Sequence, residues 1–352
     1  MPSLLPRKQA NTKAYATHYF FLKSPGRSRS DLPQTNSSGP ESTATSGAIG
    51  PARPEDRWGI TLTEADSVLE SLWEEDAVVW EKYWVPVFRL FAKDLVRIAS
   101  PSSKDVVLDL GTGSGVAAIE ICRAVRSVGV VVGIDRSEAM ITLARRKAIK
   151  VGFHNAKFIK MSGEELHFPD EFFDLAISNC GIAISDVGSG LKEILRVLKP
   201  GGILVFNDWH LIDVKPHRIF GEVLSRHRTG TPSPELARER SALARMESYH
   251  RSLSSQRQLE MVLDAGFGKA YLRNRRYRVH MKGIRDYVQM RLCRATIRHE
   301  ISEMSATERR LFLSDLREGL QSFVKGSSFV FDWNVYYINA KKTARQPQNP
   351  RS

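Results

Sequence analysis

Val106-Val107-Leu108-Asp109-Leu110-Gly111-Thr112-Gly113-Ser114-Gly115 decides the fold. Its aliphatic start reads as a strand, from Asp105 to Leu110, and residues Ser114 to Arg126 repeat their apolar side chains at helical spacing. A strand that runs into a glycine turn at the amino end of a helix leaves backbone N–H groups pointing outward and lets a ligand approach the chain closely. A nucleoside-type ligand fits such a turn.

Working outward, strand and helix alternate. Val130 to Asp135 reads as a second strand, Ser137 caps a helix reaching Lys150, Ala156 to Met161 is a third strand, and Phe173 to Asn179 a fourth. A helix from Gly190 to Leu198 ends in the turn Lys199-Pro200-Gly201-Gly202, and strand five follows at Ile203 to Asn207. Beyond Trp209 the alternation lapses. It resumes with a helix at Gln256 to Ala265, a strand at Lys269 to Val279, helices at Ile284 to Glu300 and Ser305 to Phe323, and a last strand at Phe329 to Ala340. The pattern predicts an α/β fold: a Rossmann-like, seven-stranded, mostly parallel sheet with helices on both faces and an antiparallel last strand, plus N-terminal helices and a helical insertion after strand five. Two N-terminal helices are expected between Thr63 and Ala99, broken near Pro86.

The expected organisation is a basic extension at 1–55, a helical cap at 56–103, the ligand-binding core at 104–210, an acceptor-side insertion at 211–257, completion of the sheet at 258–342 and a tail at 343–352. The extension is rich in Ser, Thr, Pro and Gly, with Asp31 and Glu41 its only acids before Glu55, which predicts disorder. Its basic start admits a mitochondrial transit peptide as the alternative to a cytoplasmic location.

The 352 residues, 42% hydrophobic, suffice for a sizeable core. Cys122, Cys180 and Cys293 form no C-x-x-C pair, which implies a reducing compartment and no structural metal. No apolar run approaches the roughly 20 residues of a membrane-crossing helix. The net charge of +13 favours anionic partners. Between Lys215 and Glu300 there are 19 Lys and Arg against 8 Asp and Glu, so nucleic acid is a conceivable partner. Arg273, Arg275, Arg276 and Arg278 lie on a strand, however, where alternate residues face opposite sides, and they cannot form one continuous basic face.

The glycine turn excludes one ligand class. A dinucleotide fingerprint needs a third glycine where this chain has Val116, and Asp109, two residues before the first glycine, suits an ammonium better than a pyrophosphate. S-adenosylmethionine carries an ammonium and no phosphate. Asp135, ending the second strand, is placed to accept hydrogen bonds from a ribose diol, the ordinary alternative being a helix-capping acid.

With VVLDLGTGSG, VVGIDRSEAMITLARRKA, GEELHFPDEFFDLAISN and LKEILRVLKPGGILVF in this order, residues 104 to 208 resemble class I S-adenosylmethionine-dependent methyltransferases of the ubiquinone and menaquinone biosynthesis type. The resemblance implies that Asp109, Gly111, Thr112, Gly113 and Gly115 hold the methionine part, that Asp135 takes the ribose, that Arg136 and Met140 flank the adenine, and that Ser162, Gly163 and Glu164 meet its amino group. Asn179 falls where methyl and acceptor meet. The family usually has Asp at the position of Ser162, so the adenine contact shifts toward Glu164. Asn179-Cys180-Gly181-Ile182 departs from the N-P-P-Y motif and argues against methylation of base amino groups.

Asp174, Glu193 and Arg196 also match, and read as structural; the last two, three apart on a helix, are expected to pair. His210 is the candidate base, with His217 and His250 as rivals, since His is the side chain most easily tuned to titrate near neutrality. Tyr83, Trp84 and Trp209 are candidate acceptor contacts; core packing is the alternative for the first two, which share a helical stripe with Val79 and Val87. The expected activity is methyl transfer to a small, aromatic or lipidic acceptor, with the insertion and the late helices forming its pocket. The alternatives are an RNA or protein acceptor, and a non-catalytic cofactor-binding scaffold.

Overall fold

A computed structural model describes residues 62–344 apart from 127, 183–185 and 210–213. The extension, most of the tail and His210 lie outside the described residues.

Three helices come first: α1 (Leu62–Glu74), α2 (Ala77–Tyr83) and α3 (Val85–Ala99). The expected break near Pro86 falls at Trp84, because proline lacks an N–H and starts α3 rather than continuing α2. The core then runs β1 (Val106–Leu110), α4 (Val116–Val125), β2 (Val130–Asp135), α5 (Glu138–Lys150), β3 (Ala156–Lys160), β4 (Phe173–Asn179), α6 (Val187–Val197) and β5 (Leu198–Asp208). After β5 come α7 (Lys215–His227), α8 (Pro234–Ser252), α9 (Ser255–Asp264), β6 (Lys269–Met281), α10 (Ile284–Leu292), α11 (Ala295–Ser302), α12 (Ala306–Leu320), β7 (Val324–Lys325) and β8 (Ser328–Lys341).

The sheet order is β3-β2-β1-β4-β5-β8-β6. β1 to β5 pair in parallel and β8 runs antiparallel to both its neighbours. Two strands of the expectation need correction. β5 begins at Leu198, so the Lys199-Pro200-Gly201-Gly202 turn is absorbed as a bulge whose register jumps between Phe173 and Leu175 of β4. An eighth strand, β7, pairs with the start of β8. The single helix expected over 284–300 is two, because Arg294 is extended and the next N–H, of Ala295, donates to Asp76 Oδ1 at 2.7 Å.

Alternation along β4 sends Leu175 and Ile177 to one face, with α3 and α4, and Ala176 to the other, with α6 and α9, which Phe173 joins from beyond the register irregularity. Each such buried aliphatic or aromatic side chain contributes about 1.5–3 kcal/mol. A satellite cluster of Ala65, Leu69, Ala242 and Met246 docks α1 on α8, and Lys160 with Glu70 at 2.6 Å ties α1 to β3. The insertion after β5 therefore buttresses α1.

Among the described residues no helix is long and apolar enough to cross a membrane.

Candidate active site

β1 ends in the glycine turn, and two carboxylates beneath it hold its shape. Asp109, fully buried, accepts from Thr112 Oγ1 at 2.7 Å and from the Ala118 N–H at 2.9 Å. Asp135 accepts from the Gly113 N–H at 2.8 Å and the Ser137 N–H at 3.0 Å. Desolvation dominates both acids: it pushes Asp109 up to about 7 and Asp135 up to about 6, against the donors that favour ionisation.

Two cavities open on this turn, and they share Trp73, Gly111, Asp135 and Gly181. The first encloses about 730 Å³ of empty space and the second about 680 Å³, open solvent included. Their chemistry differs. The first is walled by Asp66, Glu70, Asp135, Glu164 and Asp186, with Arg136 as its one cationic side chain among the described residues. Arg136 is held 3.2 Å from Glu164 and 3.5 Å from Asp66, and Glu164 also accepts from the Asp186 N–H at 2.8 Å. The second is aromatic, with Trp80, Trp84, Phe88 and Trp209 about a polar corner of Asn179 and Cys180.

The turn itself fits a close-lying ligand. A Cβ on Gly111 (φ +62°) would stand 2.8 Å from the Gly181 Cα, whereas one on Gly113 (φ +52°) would meet nothing within 4 Å. The backbone is therefore bare where the cavities meet. Asp109 Oδ1 is buried without a hydrogen bond, leaving one acceptor of the turn unsatisfied. An acidic, phosphate-repelling wall beside a bare glycine turn suits a cationic nucleoside such as S-adenosylmethionine and opposes a dinucleotide.

The structure brings most of the expected residues together and separates a few. Gly111, Asp135, Arg136, Ser162, Gly163 and Glu164 line the acidic cavity, and Thr112, Gly113, Met140, Asn179, Trp84 and Trp209 the aromatic one. Asp109 and Gly115 line neither: Asp109 lies under the turn, and Gly115 packs against Ala144. Ser162 does not replace the missing acid directly, since its Oγ accepts from the Glu164 N–H at 3.3 Å. Glu164 supplies the carboxylate at this edge.

Tyr83 lies outside both cavities, beside Lys82, because the helical stripe it shares faces the core. Among the described residues no histidine lines either cavity. His217 is buried behind Trp84 and Trp333, with ring centroids 6.0 and 4.8 Å away, and burial, with Arg291 and Arg294 nearby, drives its pKa far down. Burial likewise lowers His250 to about 3. Among the described residues, none from 214 onward lines either of these two cavities. The aromatic walls of the second come from the N-terminal helices and from Trp209.

Sequence reasoning did not single out Trp73, Trp80, Phe88, Asp66 or Glu70, which line the two cavities. Their shared signal was a tryptophan- and acid-bearing amphipathic segment ahead of the sheet, with no local cue to which face meets the turn. As expected, Glu193 and Arg196 pair, at 2.8 Å, and Asp174 pairs with Lys199 at 2.6 Å, all away from the cavities. The basic strand is engaged in ion pairs of Arg275 with Asp94, 3.0 Å, and of Arg278 with Asp332, 3.4 Å, and Arg276 also pairs with Asp332.

Known proteins resemble the chain in the same region. A family model described as "Methyltransferase domain" matches residues 101–246. The ubiquinone/menaquinone biosynthesis C-methyltransferase UbiE of Vibrio parahaemolyticus is 29% identical over 184 residues, 51% of this chain and 71% of that protein. The demethylmenaquinone methyltransferase of Geobacillus stearothermophilus is 36% identical over 114 residues, 32% of this chain and 49% of that protein. The chain thus spans about half the length of several curated relatives it matches. Among solved structures, phosphoethanolamine N-methyltransferase 2 of Haemonchus contortus in complex with S-adenosyl-L-methionine is 17% identical, with a TM-score of 0.45 over 84% of this chain and 61% of that one.

Proposed function

We propose that the chain, whose residues 101–246 match a methyltransferase-domain model, is a class I S-adenosylmethionine-dependent methyltransferase that methylates a small aromatic acceptor of the quinol type, held among its tryptophans. The observation that carries this reading is the pair of chemically opposite cavities meeting at Gly111, Asp135 and Gly181. The acidic one takes the nucleoside and its cationic end; the aromatic one takes the acceptor.

In this assignment Asp135 takes the ribose, Arg136 and the Ser162–Glu164 turn border the adenine, and Gly111, where the cavities meet, faces the methionine part over the Asp109 anchor; Met140, expected beside the adenine, lines the aromatic cavity. When bound, S-adenosylmethionine supplies an electrophilic methyl on a sulfonium. The chain's contribution is alignment: α1 and the glycine turn fix one partner, while Trp80, Trp84 and Trp209 stack the other and exclude water. Asn179 is the polar contact at the junction. The relatives' printed names, for quinone biosynthesis and demethylmenaquinone, support a quinol acceptor. The sequence-based division at 104–210 and 211–257 is retained, and α8 of the insertion braces α1. A reducing, cytoplasmic setting accords with three free cysteines.

Calorimetry with S-adenosylhomocysteine and with NAD, followed by radiolabelled methyl transfer to a short-chain prenylated naphthohydroquinone, tests the proposal. Binding of the first, none of the second and incorporation of label are expected. Failure of S-adenosylhomocysteine to bind, or tight NAD binding, would sink it.

A further inference from the structure

The aromatic cavity has one polar corner, at the carboxyl ends of β4 and β5, where three side chains form a relay. The Cys180 thiol donates to Asn207 Oδ1 at 3.1 Å, and Asn207 Nδ2 donates to Asn179 Oδ1 at 3.0 Å. Burial keeps Cys180 far above the usual thiol range, so it remains an S–H and a donor. Asn207 is fully buried, and Cys180 holds a left-handed φ of +61°, a conformation that persists where surroundings over-determine it.

An amide has one accepting and one donating end. With the thiol on its oxygen, Asn207 turns its NH2 to Asn179, and Asn179 answers with its oxygen. The donating end of Asn179 is what remains, and among the described residues its Nδ2 meets no partner. Asn179 and Cys180 both line the cavity, while Asn207 stands behind them.

We infer that Asn207 and Cys180 are positioning residues that hold Asn179 with its NH2 toward the acceptor, and that the acceptor is a phenolate or enolate whose oxygen receives that hydrogen bond. An amine acceptor is disfavoured, because an ammonium at this corner would face another donor. The inference rests on the aromatic cavity being the acceptor's place. The acceptor's hydroxyl proton goes to solvent and the oxyanion is held by Asn179. The ring carbon next to it uses its electron pair to bond the methyl carbon while the carbon–sulfur bond breaks onto sulfur, and the ring hydrogen then leaves as a proton to solvent, its bonding pair restoring aromaticity.

The probe is 1-naphthol, titrated by the absorbance of its naphtholate in the presence of the full chain saturated with S-adenosylhomocysteine. Binding should lower its apparent pKa by about one unit or more, the scale of a charge-assisted hydrogen bond. Asn207→Asp puts an oxygen where the NH2 was and turns the Asn179 amide round; the shift should vanish while S-adenosylhomocysteine affinity stays within about twofold, as for sites without shared contacts. Cys180→Ser should keep the shift and Cys180→Ala should diminish it, which decides the matter if Asn207→Asp does not fold. An unshifted pKa in the unmodified protein, no naphthol binding beside bound S-adenosylhomocysteine, or an equal shift in Cys180→Ala would overturn the inference and leave the cofactor reading standing. Absence of S-adenosylhomocysteine binding would remove that reading instead, and this one with it.

Discussion

The Gly113 N–H donates to Asp135 Oδ2 at 2.8 Å, so the acid ending β2 fixes the shape of the turn that follows β1. Asp135→Ala removes an acceptor from two backbone donors, of Gly113 and Ser137. It should destabilise the protein by about 1–3 kcal/mol, the cost of leaving buried donors unpaired. Affinity for S-adenosylhomocysteine should fall by more than the loss of fold explains; denaturant titration beside calorimetry separates the two.

Gly111 and Gly113 should fail differently. Alanine at Gly111 forces a Cβ into the Gly181 backbone, 2.8 Å away, so Gly111→Ala should lower Tm sharply. At Gly113 a Cβ meets open space, and Gly113→Ala should cost only the strain of a left-handed alanine, about 1–2 kcal/mol. Its main effect should be on cofactor affinity. Equal losses of Tm in the two variants would refute this division.

The buried acids set a pH dependence. Asp109 and Asp208 are raised to about 7 and Asp135 to about 6, in each case mainly by desolvation. Unfolded, they titrate near the ordinary 3.8, so between the two values the folded state binds more protons. This contribution to stability is complete below about 4 and is lost as pH rises through 6 to 7. Thermal melts should show a slope of that sign, reduced in Asp109→Asn. Cofactor affinity should move oppositely, rising with pH as the carboxylates ionise beneath a cationic ligand.

His299 behaves the other way from a neutral buried histidine. Its Nδ1 lies 2.7 Å from Glu239, and hydrogen bonds to Glu239 and Glu75 raise it to about 10. Folded above its unfolded 6.5, it contributes stability fully below that pH, lost as pH climbs through 10. His299→Gln should flatten the alkaline limb of the Tm profile and loosen α11 from α8, readable by hydrogen exchange.

Trp80 stacks on Trp84 with ring centroids 5.1 Å apart. Trp80→Leu should raise the acceptor KM about tenfold, the scale of an aromatic contact and its buried area, with cofactor affinity held. A cofactor loss of the same size would mean that the aromatic cavity does not belong to the acceptor alone.

Strand and helix alternation from Asp105 to Asp208 was legible because each element declares itself locally. A five-residue aliphatic strand, a glycine that must turn, a Ser137 cap that accepts from the Met140 N–H: each is a contract among neighbours in sequence. The Leu198 start of β5 was hidden, because a bulge is fixed by the partner strand. So was the break at Arg294, which answers to Asp76, 218 positions earlier in the chain.

By itself the sequence determined the parallel sheet and the glycine turn, and it singled out Asp109 and Asp135 as ligand contacts; that both also hold the turn came from the structure. Tertiary structure alone decided which side chains wall the aromatic cavity. Trp73, Trp80, Trp84 and Phe88 come from helices ahead of the sheet, Asn179 and Trp209 from the ends of two strands, and periodicity says which residues share a stripe but not what that stripe faces. The orientation of the Asn179 amide needed Asn207 and Cys180 beside it, since a hydrogen-bond relay exists only once parallel strands bring its members within 3 Å or so.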